Sequence, residues 1–153
     1  MRYELEEPSF EEKGRIMNQK EIDGNRSQVA YSSEGKMKGS IEVTNTRDFI
    51  IVSKDKNVTS AQGQGVITTK DDSGKANYAF LAVGKVTEEG KPVFLGSAVW
   101  STDSGGRMAF LNNIISFFMV EVDETGNFLR IARIEIIITI LSRSDIDNSK
   151  SRR

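Results

Sequence analysis

The sequence predicts an all-β fold: a single antiparallel up-and-down barrel of about eight strands. Three observations predict it. Clusters of Gly with Asp, Asn or Ser punctuate the chain, the runs between them are rich in Val, Ile, Phe and Thr, and no long helix is evident. The predicted turns lie at residues 23–25, 33–35, 54–57, 71–74, 88–90, 103–106 and 123–127.

In the first half of the chain, the sequence predicts strands with one solvent-exposed face. After a charged N-terminal extension over residues 1–12, interrupted by Pro8, strands are expected at 13–22, 28–31, 36–45, 48–53 and 58–69. In 36–45, Met37, Ile41 and Val43 share one face, and polar residues occupy the other. This period-2 alternation is typical of a half-buried strand.

The second half differs, because its strands are apolar on both faces. These strands are expected at 76–87, 92–102, 114–122 and 128–141. Such strands are covered on both sides, and another subunit is the simplest second cover. We therefore expect a homo-oligomer formed through strands 76–102 and 114–141.

Two further segments complete the predicted organisation. A short helical turn or plug is expected near 107–113, across one barrel end. The barrel domain is predicted to cover 13–141, and the polar tail 142–153 is predicted to be disordered.

Composition excludes several kinds of chemistry. The 153 residues fit one domain with a formal charge of −1, so we expect neither nucleic-acid nor membrane partners. Cysteine and histidine are absent, which excludes disulfides, thiolate nucleophiles, Cys/His zinc sites and histidine-ligated haem. We expect no metal and no cofactor. The acidic N-terminus resembles neither a signal nor a transit peptide, so a cytoplasmic location is expected.

Several motifs lie along residues 63–127: Gly63-Gln64-Gly65 with the following strand to Asp71, Gly84, Phe94-Leu95-Gly96-Ser97, Thr102, Gly106, Leu111-Asn112-Asn113 and residues 121–127. Together they resemble an uncharacterised microbial family of small β-barrels. The matching region spans roughly residues 36–135. The resemblance implies a calycin-like barrel, lipocalin-like or allene-oxide-cyclase-like, with a cavity but no agreed activity. The chain departs from the family in its last strand, where Ala132-Arg133-Ile134-Glu135 stands in place of a Trp-Glu pair.

The candidate ligand-binding residues are the side chains that would line such a cavity. An eight-stranded barrel is just wide enough for one small ligand. The candidates are Tyr78, Phe80, Phe94, Trp100, Phe117 and Met119, with Asn112 as a polar contact. The alternative is that the aromatic residues only fill the core and that Asn112 and Asn113 only cap the plug.

No motif amounts to a catalytic signature. Glu121 is the one catalytic candidate, because a carboxylate on an inward face would have a raised pKa and could transfer protons. With the opposite parity it is a surface charge. Glu42 and Glu135 pose the same question, and we expect both to face solvent or to pair with Arg130 or Arg133. Gly63-Gln64-Gly65 lacks the glycine spacing and following helix of a phosphate loop.

The sequence therefore predicts a protein that binds a small, largely apolar ligand. One alternative is an isomerase or cyclase of the allene-oxide-cyclase type, using Glu121, Tyr78 and Asn112 as its polar groups. The other is a ligand-free oligomeric scaffold, which would have a solid core and a large interface.

Overall fold

The computed structural model describes residues 10–55, 57–122, 128–129 and 135–137, the last two segments as backbone only. Most of it is β-structure with one 3₁₀ helix, Gly106–Leu111. The strands are β1 (Phe10–Asp23), β2 (Arg26–Met37), β3 (Ile41–Asp55), β4 (Val58–Thr69), β5 (Lys75–Val86), β6 (Pro92–Ser101), β7 (Ile114–Val122), β8 (Phe128–Leu129) and β9 (Glu135–Ile137). The predicted tail 142–153 lies outside the described residues.

The seven long strands form one antiparallel sheet in which each strand pairs with the next along the chain. The all-β, up-and-down prediction is therefore confirmed. Over the described residues β1 and β7 do not pair with each other, so the long strands alone do not close into a barrel. Each instead pairs with β8: Gly14 with Phe128, and Val122 with the same Phe128.

The sheet is strongly curved. Arg47 on β3 and Phe118 on β7 line one pocket, although four inter-strand steps separate them. In a flat sheet these strands would be about 19 Å apart, at about 4.8 Å per step. The curvature gives the sheet an inner face, which carries a continuous core from Phe10 to Ile114, and an outer face.

Glycines on the inner face of the sheet make room for aromatic rings. Gly65 pairs with Tyr78 across β4 and β5, and the Tyr78 ring occupies the space that a side chain at Gly65 would need. Phe94 lies in the same way over Gly84, and Phe118 over Gly96. The glycine motif 63–65 is therefore a packing feature of a strand.

The predicted plug is confirmed in position. The 3₁₀ helix lies between β6 and β7, and it buries Met108 and Leu111 in the core. Arg107 forms an ion pair with Asp71 at 2.8 Å, and Lys38 Nζ lies 3.9 Å from the centre of the Phe110 ring. Asp71 and Lys38 belong to hairpin turns at the same end of the sheet, so the helix covers that end.

Two predicted boundaries are wrong. Residues 33–35 do not form a turn but lie within β2, and the chain reverses at Lys38 and Gly39, whose φ values are 49° and 75°. Glycine at 35 instead allows the backbone of β1 to approach closely, at Glu11. The predicted break between 45 and 48 is also absent, because β3 is continuous.

The N-terminal boundary needs a correction too. β1 begins at Phe10, inside the predicted extension 1–12, and both Phe10 and Glu12 are buried. Glu12 can be buried because it is hydrogen-bonded to side chains of β2 and β3. The composition of residues 1–12 does not reveal these partners.

Candidate functional site

The inner face holds a polar cluster, defined here as Glu12, Ser33, Asn45, Arg47 and Tyr78. Glu12 and Arg47 form an ion pair, with side chains 1% and 11% exposed. Ser33 Oγ donates to Glu12 Oε2, and Asn45 Nδ2 donates to the same oxygen at 2.8 Å. Tyr78 Oη donates to Asn45 Oδ1 at 2.7 Å. The cluster thus links β1, β2, β3 and β5.

Strand alternation explains why these groups meet. Asn45 and Arg47 lie on β3 with the same parity as buried Val43 and Phe49, so they point inward. The cross-strand pairs Ser33–Asn45 and Gly35–Val43 align β2 with β3, which places Ser33 beside Asn45. Glu12, inward on β1, completes the group from the other side of β2.

Arg47 also contacts the aromatic core. Its Cζ lies 4.6 Å from the centre of the Tyr31 ring and 5.9 Å from that of Phe80, within the range of cation–π attraction. Its Nη2 donates to Glu12, whereas its Nε has no hydrogen-bond partner among the described residues. Burial lowers the pKa of the Arg47 guanidinium. A buried N–H without an acceptor is costly, so this atom is conspicuous.

Arg47 lines a small interior pocket whose other walls are apolar. The space open to a water-sized sphere is about 30 Å³. The pocket lies toward the sheet end opposite the 3₁₀ helix. Its lining residues are Arg47, Phe49, Ile51, Ala61, Phe80, Ala82, Phe94, Phe118 and Val120. A void of this size holds one water molecule, so most of the interior is filled by side chains.

The buried tyrosines are held in their protonated form. Burial raises the pKa of Tyr78, and the nearby Arg47 charge and the Asn45 hydrogen bond oppose that rise only in part. Burial likewise raises the pKa of Tyr31. Both phenols therefore act as neutral hydrogen-bonding groups at neutral pH.

The predicted site residues divide between the two faces. Tyr78, Phe80 and Trp100 are buried on the inner face, with the Tyr78 and Trp100 ring centres 4.4 Å apart. Trp100 Nε1 donates to Ser116 Oγ at 2.7 Å. Phe80 and half-buried Phe94 line the pocket, whereas Tyr78 and Trp100 lie in the core beside it.

The structure contradicts the inward parity for the candidates on β7. Ile114, Ser116 and Val120 point inward, so Phe117 and Met119 belong to the outer face, and Phe117 is 43% exposed. Glu121 shares their parity and is exposed, which removes it as an interior carboxylate. Asn112 is exposed at the end of the 3₁₀ helix, where its backbone N–H donates to Ala109 O at 3.2 Å. Glu42 faces solvent, as expected.

Sequence reasoning missed Glu12, Asn45 and Arg47. The available signal was the position of Arg47, which lies in period-2 register with Val43 and Phe49 and therefore on the inward face of the strand. A charged side chain is seldom buried there unless an opposite charge pairs with it. The predicted strand break at 46–47 interrupted that register and hid the signal.

The apolar outer face of β5, β6 and β7 is the other notable surface. Cross-strand pairing arranges its side chains in three rows of three: Ala79, Val99 and Ile115; Leu81, Ser97 and Phe117; Val83, Leu95 and Met119. Leu81, Leu95 and Val99 are 61%, 60% and 59% exposed. We call these nine residues the outer apolar face.

No family model, curated protein or solved structure matches this chain. Within the described residues, no helix is both long and apolar enough to cross a membrane.

Proposed function

We propose that this protein binds a small, largely apolar molecule in the interior of a β-barrel. The observation that carries the proposal is the pocket beside Arg47, whose walls are otherwise apolar. Apolar walls with one placed polar group are the usual composition of a small-molecule site. The calycin-like family and the cytoplasmic location stay predictions.

Barrel closure is part of this proposal. Phe128 pairs with Gly14 of β1 and with Val122 of β7, and Leu129 pairs with the neighbouring Lys13 and Glu121. β8 thus pairs with both β1 and β7, and we propose that closure through it makes a ring of eight antiparallel strands. A ring of that size encloses a side-chain-filled interior or one small ligand.

Ligand entry requires side-chain movement, since the open space is only about 30 Å³. Phe94 and Phe118 are the half-buried lining residues on β6 and β7. Their rings lie 2.6 Å from the positions that side chains at Gly84 and Gly96 would take. We propose that rotation of these two rings enlarges the pocket for a ligand.

Methyl NMR tests this proposal with cyclopentane as the probe. We expect saturable shifts of the Ala61, Ala82 and Val120 methyls, which line the pocket or flank it. Ala82→Leu should abolish the shifts of the Ala61 and Val120 methyls by filling the pocket, whereas Ala79→Leu, on the outer face of the same strand, should not. Absence of saturable shifts in the folded wild-type protein would contradict the proposal.

The isomerase or cyclase alternative has less support. Of its three proposed polar groups, Glu121 and Asn112 are exposed, and only Tyr78 is buried. Among the described residues, the buried carboxylate nearest the pocket is Glu12. Its oxygens already accept hydrogen bonds from Ser33, Asn45 and Arg47.

A second candidate function is assembly, with the outer apolar face as a contact between two copies of this chain. None of its nine residues is charged, so a second copy would bring no charge to desolvate. β6 is paired on both sides, so a partner must approach the face and cannot add a strand there. Lys85 and Glu121 lie beyond one end of the rows and Asn77 and Ser101 beyond the other, giving a polar rim.

Light scattering after size-exclusion chromatography tests the assembly. Wild-type protein should be a dimer or larger at micromolar concentration, and Leu95→Lys should be a monomer. Met17→Lys, at an apolar residue 56% exposed on β1, is the matched control and should keep the wild-type mass. A monomeric wild-type protein would contradict this candidate.

A further inference from the structure

We infer that the pocket selects uncharged ligands carrying one hydrogen-bond acceptor, such as a carbonyl oxygen, which Arg47 Nε–H would bind. This inference rests on the proposed function and specifies its ligand class.

The charge at the pocket wall is already balanced. Arg47 brings one positive charge to the pocket wall, and Glu12 already neutralises it through a direct ion pair. The other eight lining residues are uncharged. A ligand carboxylate would therefore add a second buried anion for one cation, and uncompensated buried charge costs several kcal/mol.

One donor of the arginine is unused. Arg47 lines the pocket, and its buried Nε–H has no acceptor among the described residues, so a ligand would reach this donor only once the surrounding side chains have moved. The other walls supply no polar side chain, because all eight are Phe, Ile, Val or Ala. A bound molecule with one neutral acceptor would satisfy this donor and leave the Glu12–Arg47 pair intact.

The arginine is held rigidly. Glu12 holds Nη2, and the rings of Tyr31 and Phe80 flank the guanidinium at 4.6 and 5.9 Å. Asn45 and Ser33 in turn hold Glu12. The donor is thus fixed before a ligand arrives, so little ordering entropy opposes the new hydrogen bond.

Three probes of equal ring size test the inference: cyclopentane, cyclopentanone and cyclopentanecarboxylate. Their affinities are measured by methyl NMR titration at Ala61 and Ala82. A hydrogen bond to a charged donor predicts that cyclopentanone binds roughly tenfold more tightly than cyclopentane. Cyclopentanecarboxylate should bind more weakly than cyclopentanone.

The outcomes separate this inference from the proposed function. Equal affinity of cyclopentane and cyclopentanone, or tightest binding of the carboxylate, would overturn the inference and leave the binding function standing. Failure of all three probes to bind would overturn both. Arg47→Lys, provided that its circular dichroism and unfolding match those of a folded protein, should reduce the preference for cyclopentanone over cyclopentane.

Discussion

Glu12 on β1 and Arg47 on β3 form a buried ion pair inside the sheet, although β2 lies between their strands. The pair joins the start of the described chain to its middle, and the arginine lines the interior pocket. We therefore expect the Glu12–Arg47 ion pair to affect both the stability of the fold and the proposed ligand site.

Glu12→Gln is expected to destabilise the protein by about 3 kcal/mol, because it leaves the Arg47 charge buried without a counter-ion. Urea unfolding followed by circular dichroism measures the change. Glu34→Gln is the matched control, since Glu34 is 72% exposed and its ion pair with Lys70 is 3.7 Å long. Equal effects of the two substitutions would show that the buried pair is energetically unimportant.

Gly65→Ala is expected to destabilise the protein by about 1–3 kcal/mol, because the added methyl would meet the Tyr78 ring. That ring cannot move aside easily: its hydroxyl is bonded to Asn45, and Trp100 lies against it. Gly24→Ala, with no atom within 4 Å of the new methyl, serves as the control in thermal unfolding. Indistinguishable melting temperatures for the two variants would argue against this packing.

The buried tyrosines predict a loss of stability in alkaline solution. Burial raises the pKa of Tyr31 and of Tyr78 above the unfolded value of about 10. Their contribution is therefore complete below pH 10 and is lost as the pH rises further. In Tyr3→Phe protein, tyrosinate absorbance should appear only together with loss of circular dichroism. Ionisation of two tyrosines near pH 10 in folded protein would contradict their burial.

Asp71, in the turn that precedes β5, is predicted to have a low carboxyl pKa. Hydrogen bonds from the Ser73 side chain and backbone, with Thr69 and Arg107, lower the pKa of Asp71 to about 2. This contribution to stability is present above pH 4 and is lost as the pH falls toward 2. Ser73→Ala should raise the pKa in a carboxyl NMR titration, whereas Ser101→Ala, distant in the sequence and exposed, should not. An unchanged Asp71 pKa in Ser73→Ala would exclude the hydroxyl as the main cause.

The sequence predicted the strand order well where turn residues coincide with real turns. The reversals after Asp23, Thr69 and Val86 all fall at Gly-containing polar clusters. The prediction failed at 33–35, because Gly35 serves close strand packing while the reversal uses Lys38 and Gly39. Local composition cannot distinguish these two uses of glycine.

The site was harder to predict than the fold. β7 is apolar on both faces, so its pattern could not tell whether Ser116 or Phe117 points inward. The inner parity is decided by distant contacts, such as the hydrogen bond from Trp100 to Ser116. The importance of Arg47 likewise depends on Glu12, 35 residues away along the chain.

The most direct test of the central claim is the ¹H–¹⁵N resonance of Arg47 Nε–H, assigned by its loss in Arg47→Lys. We predict that this resonance shifts saturably and exchanges more slowly with water when cyclopentanone is added. The pocket methyls of Ala61 and Ala82 should shift with the same affinity. An Arg47 resonance and methyls that remain unchanged at saturating cyclopentanone would contradict a ligand site beside Arg47.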